Sequence, residues 1–143
     1  MIVRAMQESD LEQVSVLEKN TFSTPWSKQD FKDALTKDCY RFYVAEEEGI
    51  ILATAGLIQS FEEADITNVA VLPQKRRQGI AETLLNYAME DGAEHGIFAY
   101  TLEVRESNLA AVKLYEKLGF VKEGIRKNFY ENPTENAIIM WKR

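Results

Sequence analysis

The pattern of apolar positions along the chain predicts an alternation of strands and helices. Short runs rich in β-branched and aromatic residues, bounded by polar turns or proline, have the composition of strands. Longer stretches in which apolar residues recur every three or four positions have the period of an amphipathic helix. Strands are predicted at 2–5, 40–45, 50–58, 64–71, 97–104, 120–125 and 137–141.

Capping residues mark the starts of the two helices predicted in the first half. Ser9 followed by Glu12 has the spacing of a capping box, and Ser27 followed by Asp30 repeats it. The break at Thr24, Pro25 and Trp26 separates the two helices. Apolar positions share one face of each helix: Leu11, Val14 and Leu17 with Glu18 on the first, and Phe31, Ala34 and Leu35 on the second.

Glycines mark the ends of the two helices predicted in the second half. One helix runs from Gly79 to about His95 and stops at Gly96. The other is expected to be capped by Ser107, to run through Lys117 and to end at Gly119.

The predicted order, β-α-α-β-β-β-α-β-α-β-β, indicates an α/β fold. Hairpins supply antiparallel pairs, whereas the late strand-helix-strand units require crossovers, so the sheet is mixed and mostly antiparallel. About seven strands and four helices are expected. No repeat, low-complexity tract or linker interrupts the sequence, so residues 1–143 are interpreted as one domain.

Composition narrows the classes of function. The net charge of −6 disfavours general nucleic-acid binding and suits a basic peptide or an amine as partner. No apolar run approaches the roughly 20 residues that span a bilayer, and a cytoplasmic location is expected. The one cysteine, Cys39, and the one histidine, His95, leave no basis for a disulfide or a His/Cys metal site.

A basic run follows the strand predicted at 64–71. The backbone N–H groups at the start of a helix attract anions, and Gly79 lets the chain approach one closely. The run is neither a P-loop nor a dinucleotide fingerprint, because it holds one glycine and no Gly-Lys-Ser/Thr. From the residues alone it is either an anion site or a solvated basic turn. Its members are Arg76, Arg77, Gln78, Gly79, Ile80 and Ala81.

A second group of polar residues lies at 103–115. Asn108 and Tyr115 are seven positions apart and share one helix face. Tyr115 also belongs to an apolar stripe, so it is equally a core tyrosine, and Asn108 also suits a first helical turn. Glu103 is either a functional carboxylate or a solvated one paired with Arg105 on the same strand face.

Together these two segments resemble the Gcn5-related N-acetyltransferases. The signature of that family is Arg/Gln-x-x-Gly-x-Gly/Ala, which Arg76, Gly79 and Ala81 match. The segment from Asn108 to Phe120 matches the second hallmark of the family, Asn-x-x-Ala-x-x-Leu-Tyr-x-x-Leu-Gly-Phe.

More narrowly, the chain is similar to the ribosomal-protein N-terminal alanine acetyltransferases. The matching segments span most of the sequence without large insertions. They are Pro25-Trp26-Ser27, Asn68-Val69-Ala70-Val71, Arg77-Gln78-Gly79, Leu102-Glu103-Val104-Arg105, Ser107-Asn108, Asn128-Phe129-Tyr130 and Ala137-Ile138-Ile139-Met140.

The resemblance implies acetyl-coenzyme A as the acetyl donor. The basic run would hold its pyrophosphate, and Asn108 and Tyr115 would contact the same coenzyme. Its pantetheine would lie along Val69, Ala70 and Val71, with the oxyanion-binding amides near Ala70 and Val71. No metal is implied.

The resemblance also implies how the acceptor reacts. Glu103 would be the general base, directly or through water, and Tyr115 the general acid. The acceptor would be the N-terminal alanine of a basic small-subunit ribosomal protein, in a groove walled by Pro25, Trp26 and Tyr130. Phe129, in a late loop, replaces a tyrosine common in close relatives. A small-molecule amine acetyltransferase and an inactive acyl-coenzyme A sensor remain alternatives.

Overall fold

One mixed sheet of seven strands organises the chain, and four α-helices pack against it. The computed structural model describes all residues from 1 to 143. The strands are β1 (Ile2–Ala5), β2 (Tyr40–Glu47), β3 (Ile50–Ser60), β4 (Glu63–Val71), β5 (Ala99–Arg105), β6 (Val121–Tyr130) and β7 (Glu135–Lys142). The helices are α1 (Leu11–Thr21), α2 (Lys28–Ala34), α3 (Ile80–Glu94) and α4 (Leu109–Lys117).

The strand order is β1-β2-β3-β4-β5-β7-β6. Every neighbouring pair is antiparallel except β4 and β5, which α3 connects as a crossover. The predicted α/β class, the strand number and the four helices are therefore confirmed.

Two apolar clusters hold the helices to the sheet. The larger joins α3 and α4 to the central strands, and Leu84, Leu85 and Ala88 of α3 are fully buried in it. The smaller joins α1 and α2 to β2 and β3 around Phe31 and Phe42, whose ring centroids lie 5.5 Å apart. This division follows from the helical stripes in the sequence, since each stripe needs an apolar surface to cover it.

The start of α1 differs from the prediction. The helix follows a 3₁₀ turn over Glu8–Asp10, and Asp10 rather than Ser9 makes the capping contact, accepting from the Gln7 backbone N–H at 2.8 Å. Asp10 is fixed there by two hydrogen bonds from Arg4, at 2.7 and 2.9 Å. The capping box of Ser27 and Asp30 at α2 is confirmed.

The last helix and strands also differ in their bounds. Asn108, not Ser107, caps α4, because the Asn108 side chain is the one that accepts from the Ala111 N–H. Ser107 lies one residue before the cap, where its N–H donates to Glu135 at 2.6 Å. Strand β5 begins at Ala99, since the Ile97 N–H still donates to Gly92 of α3. Strand β6 continues to Tyr130, so Phe129 lies in a strand and not in a loop as expected.

Strands β4 and β5 separate after a short paired stretch. They pair only where Glu63 to Asp65 oppose Ala99 to Thr101. Beyond that point each strand continues without the other, β4 to Val71 and β5 to Arg105. The sheet is therefore open in its middle, and the backbone of β4 has an unpaired side there.

Candidate functional site

A cleft of about 690 Å³ occupies the opening between β4 and β5. The α1–α2 loop, the end of β5, the first turn of α4 and the β6–β7 turn close its other sides. It brings together Val69, Glu103, Asn108, Tyr115, Trp26 and Tyr130 among the predicted site residues, and Pro25 does not line it.

A β-bulge shapes the β4 wall of the cleft. Thr54 pairs with Ala70 and Gly56 with Thr67, so Asn68 and Val69 together oppose one residue of β3. Asn68 has a φ of +54°, a conformation that asparagine tolerates better than most residues. Its carbonyl accepts from the Thr54 hydroxyl at 3.1 Å, which fixes the irregular backbone.

The hydrogen-bond ladder decides which β4 amides face the cleft. The Leu72 N–H donates to Leu52 on β3, and alternate residues of an antiparallel strand face the same neighbour. The Ala70 N–H is therefore directed at β3, whereas those of Val69 and Val71 are directed at the unpaired side. Of the amides predicted to bind the oxyanion, near Ala70 and Val71, that of Ala70 therefore points away from the unpaired side and that of Val71 points toward it.

The basic run lies beyond the end of β4, at the start of α3. Arg77 and Gly79 have φ values of +65° and +78°, and no side chain caps the helix. None of the backbone N–H groups from Arg77 to Glu82 donates to a protein acceptor. This row of free donors at a helix start, with no acidic side chain among the first five of those residues, fits a pyrophosphate.

The side chains of the run support the loop in different ways. Arg76 donates to the Val71 carbonyl at 3.1 Å and ties the loop back to β4. Gln78 donates to the Gln74 carbonyl at 3.3 Å. Ile80 is buried in the larger core cluster, whereas the Arg77 side chain is exposed.

Glu103 lies on the cleft side of β5, with its side chain 29% exposed. Its carboxylate is 3.5 Å from Arg126 Nε on β6, and Arg105 pairs instead with Glu135. Burial raises the pKa of Glu103 above its usual value, and Arg126 partly opposes this effect while Asp65 adds to it. The group therefore holds a proton more readily than an ordinary glutamate.

Tyr115 is both a core residue and a cleft residue. Only 7% of it is exposed, and its ring packs edge-on against Phe120 at 5.9 Å between centroids. Burial raises the pKa of its hydroxyl, so the group stays protonated at neutral pH and can donate a proton.

Asn108 has a structural task at the mouth of the cleft. Its side-chain oxygen accepts from the Ala111 N–H at 3.2 Å, which caps α4. Its amide nitrogen donates to no protein acceptor, and the residue lines the cleft.

Aromatic rings form the outer walls. Trp26 packs against Phe31 and Phe42, with centroids 5.1 and 5.6 Å away, so its ring both anchors the α1–α2 loop and lines the cleft. On the opposite wall the Arg105 guanidinium lies 4.5 Å from the centroid of the Tyr130 ring. Burial raises the pKa of Tyr130 to about 12.

Arg105 connects these walls. It donates to the carbonyls of Pro133 and Glu131 at 2.9 and 3.0 Å and to the Ser23 hydroxyl at 3.4 Å. It also donates to Glu135 at 3.2 Å. One side chain thereby links β5, the α1–α2 loop and the β6–β7 turn.

The sequence matches the model of the acetyltransferase (GNAT) family over residues 8–120. The chain belongs to the GNAT family. It is accordingly an N-acetyltransferase, and the family resemblance predicted from its two sequence motifs is confirmed.

Two relatives extend the similarity to nearly the full length of the GNAT chain. A Bacillus subtilis (strain 168) protein provisionally named [ribosomal protein bS18]-alanine N-acetyltransferase is 39% identical over 97% of this chain and 93% of its own. The [ribosomal protein bS18]-alanine N-acetyltransferase of Escherichia coli (strain K12) is 33% identical over 96% of this chain and 94% of its own.

Solved structures agree with this GNAT assignment. The crystal structure of the ribosomal-protein-S18-alanine N-acetyltransferase from Escherichia coli superposes with a TM-score of 0.88 at 32% identity, covering 98% of this chain and 91% of the other. An aminoglycoside 6'-N-acetyltransferase complexed with coenzyme A superposes at 0.84 with 17% identity, over 99% and 96% of the two chains, which shows the shared fold.

From the sequence, no role is assigned to Glu18 and Asn68, which line the α1 and β4 walls of this GNAT cleft. None is assigned to Arg126 either, which pairs with Glu103. A signal existed for Glu18, because a charged residue occupied the apolar stripe of α1. No local signal marked Arg126, since its contact with β5 arises only when β6 and β7 pair.

No helix is both long and apolar enough to cross a membrane. No three His, Cys, Asp or Glu side chains are grouped so as to hold a metal ion.

Proposed function

We propose that this protein transfers an acetyl group from acetyl-coenzyme A to the α-amine of the N-terminal alanine of ribosomal protein bS18. The observation that carries the proposal is the opening between β4 and β5, which is lined by Glu103 and Tyr115 together. The full-length similarity to alanine acetyltransferases of bS18 supports the choice of acceptor.

The coenzyme end of the cleft is assigned to β4 and the start of α3. The free N–H groups from Arg77 to Glu82 would bind the pyrophosphate, and Arg76 and Arg77 add positive charge. The unpaired N–H groups of Val69 and Val71 would bind the pantetheine and the thioester oxygen. Acetyl-coenzyme A supplies the activated acetyl group, and Asn108 contributes its free amide nitrogen.

Glu103 is assigned the role of general base. An α-amine has a pKa of about 7.7–8.0, so much of it is protonated at neutral pH and must lose a proton before attack. Burial brings the pKa of Glu103 upward toward that of its substrate, which favours proton acceptance. The proton passes to Glu103 directly or through one water.

Tyr115 is assigned the role of general acid. Its hydroxyl is protonated at neutral pH and lines the same cleft. It donates a proton to the coenzyme A sulfur as the thiolate departs. No side chain is acetylated in this scheme, and Cys39 lies on the surface away from the cleft.

The acceptor end is assigned to the walls that contain Trp26 and Tyr130, with Pro25 at the margin. A net charge of −6 attracts a basic peptide. With bS18 as the acceptor, the protein works in the cytoplasm, where ribosomes are assembled, and its partner is a protein N-terminus without direct contact to nucleic acid.

An acetyl-transfer assay tests the proposal. The acceptors are a peptide of the first residues of bS18 beginning with alanine, spermidine and an aminoglycoside. We expect kcat/KM to be highest for the peptide. Preference for either small amine would replace the proposed acceptor, and coenzyme binding without transfer to any amine would indicate a sensor.

Mass spectrometry tests the same assignment in cells. Deletion of the gene from its host should leave the N-terminal alanine of bS18 unacetylated, and the wild-type gene should restore the acetyl group. An N-terminus whose acetylation is unchanged by the deletion would contradict the proposal.

A further inference from the structure

Glu18 is a buried carboxylate in the cleft wall to which the reaction scheme gives no role. Only 2% of the residue is exposed. Its Oε1 accepts from the Asn68 side chain at 2.8 Å and from the Trp26 backbone N–H at 3.3 Å. Its Oε2 is buried and has no hydrogen-bond partner in the protein. One oxygen of this group is therefore left for a ligand.

The charge of Glu18 is also uncompensated. The other buried acid, Asp10, receives two hydrogen bonds from Arg4. No cationic group is paired with Glu18, and burial raises its pKa against the effect of its two hydrogen bonds. An unpaired buried carboxylate is unfavourable because it has lost its hydration, and a cation entering the cleft would offset that loss.

The position of Glu18 indicates which cation enters. Its two hydrogen-bond partners belong to different walls, since Asn68 is in the β4 bulge beside Val69 and Trp26 is in the acceptor wall. The carboxylate thus lies where the coenzyme end and the acceptor end of the cleft meet. The group that an acceptor brings to that junction is its amine, which arrives mostly as a compact ammonium ion at neutral pH.

We propose that Glu18 Oε2 binds the α-ammonium group of the incoming acceptor and holds it beside the β4 bulge. The inference rests on the proposed function and adds a substrate-binding residue to it. Glu18 recognises the charged form of the amine, whereas Glu103 takes the proton that must leave before attack. One carboxylate, Glu18, then binds the ammonium group, and the other, Glu103, deprotonates it.

A purely structural role is the competing explanation. The two hydrogen bonds to Oε1 tie α1 to β4 and to the α1–α2 loop, and their loss would disturb the cleft as a whole. Glu18→Gln separates the two roles, because the amide oxygen can still accept both bonds while the amide NH₂ replaces the free Oε2. The matched control is Glu12→Gln, the same change at an exposed position of α1.

Binding is measured by calorimetry with coenzyme A present, so that no turnover occurs. Two peptides are compared, the bS18 peptide and the same peptide with propionyl in place of its N-terminal alanyl group, which removes only the amine. We expect wild type and Glu12→Gln to bind the amine peptide at least about tenfold more tightly, the scale of a charge-assisted hydrogen bond. Glu18→Gln should lose this preference while its affinity for the propionyl peptide stays unchanged.

Two results would overturn the inference. If Glu18→Gln keeps the wild-type preference for the amine peptide, the carboxylate does not bind the ammonium. If it binds both peptides more weakly by the same factor, its role is structural. Glu18→Asp keeps the charge but withdraws it by one methylene, and it is measured in the same way. It should also lose the preference for the amine peptide, so the inference can still be tested if Glu18→Gln does not fold.

The proposed function fails on a different observation. A wild-type protein that acetylates the bS18 peptide while Glu18→Gln keeps the amine preference leaves the function standing and removes only the inference. A wild-type protein that neither binds nor acetylates the peptide removes both.

Discussion

The two proposed ends of the cleft differ in the groups that form them, which are backbone amides at one end and side chains at the other. At the proposed coenzyme end the groups assigned to the ligand are backbone amides on β4 and at the start of α3, and the loop around Arg77 and Gly79 is exposed. At the acceptor end they are side chains on distant segments, held in place by one another. Arg105 alone donates hydrogen bonds to two of these segments, the α1–α2 loop and the β6–β7 turn.

Because of this difference, each end of the cleft depends on the amino-acid sequence in its own way. Backbone donors need only the right conformation, so a glycine and a helix start suffice to create them. Side-chain walls depend on contacts among residues far apart in the chain. Substitutions should therefore affect coenzyme binding through conformation and acceptor binding through lost contacts.

Removal of the proposed base should have the largest effect. It should lower kcat and leave the binding of both substrates unchanged. We expect Glu103→Gln to lower kcat by about 10²- to 10³-fold, because general base catalysis typically contributes this much. The KM for acetyl-coenzyme A should stay unchanged, as steady-state kinetics would show. Full turnover by Glu103→Gln together with full turnover by Tyr115→Phe would refute the acid–base assignment.

The acceptor end should respond next most strongly. Arg105→Ala removes its hydrogen bonds to the two loops and the contact with the Tyr130 ring, so we expect a roughly tenfold rise in the KM for peptide. The KM for acetyl-coenzyme A should change less than twofold. Arg143→Ala is the control, since Arg143 also lies over a ring, that of Trp141, at a site outside the cleft. Equal effects of the two variants would contradict the role given to Arg105.

The coenzyme end should respond to backbone strain. Gly79→Ala forces a Cβ into a left-handed conformation at a cost of about 1 kcal/mol, although no atom lies within 4 Å of the new methyl group. We expect a rise of roughly fivefold in the KM for acetyl-coenzyme A with the KM for peptide unchanged. Gly49→Ala carries the same strain in the β2–β3 turn, at φ +83°, and should affect only thermal stability.

The smallest effect should be a displacement of the pH profile. Arg126 holds the pKa of Glu103 below the value that burial alone would give. Arg126→Gln should therefore raise that pKa, and because Glu103 must be deprotonated to act, the acid limb of kcat/KM should move to higher pH. A limb that moves to lower pH, or does not move, would show that another group titrates there.

The segments assigned to the coenzyme end are easier to recognise in the sequence than those assigned to the acceptor end. The segment from Arg76 to Ala81 is contiguous, so its conformation and its charge can be recognised locally. Tertiary pairings form the acceptor end: Glu18 and Asn68 are 50 positions apart, and Arg105 and Glu135 are 30 apart. Neither partner in such a pair marks the other in the sequence.

The predicted strand and helix order also had a local basis, but the divergence of β4 and β5 did not. Apolar alternation identified both strands, and the α3 crossover made them parallel neighbours. They pair over only three positions, and the β4 bulge at Asn68 and Val69 lies in the stretch beyond them. Neither feature is marked by the local alternation. The Ser107–Glu135 hydrogen bond at the start of α4 is likewise not marked locally, since Glu135 is 28 positions away.

The unpaired side of β4 has a consequence for the tendency of the protein to aggregate with other chains. An exposed sheet edge is a template on which foreign strands can add, and proteins normally cover or interrupt such edges. Here the edge lies inside the sheet, between β4 and β5, where α4 and the neighbouring loops restrict access. We therefore expect a slender flexible ligand to reach it more easily than a strand of a neighbouring protein. The fold thereby keeps the unpaired backbone groups of β4 available to a ligand without exposing an outer sheet edge that promotes aggregation.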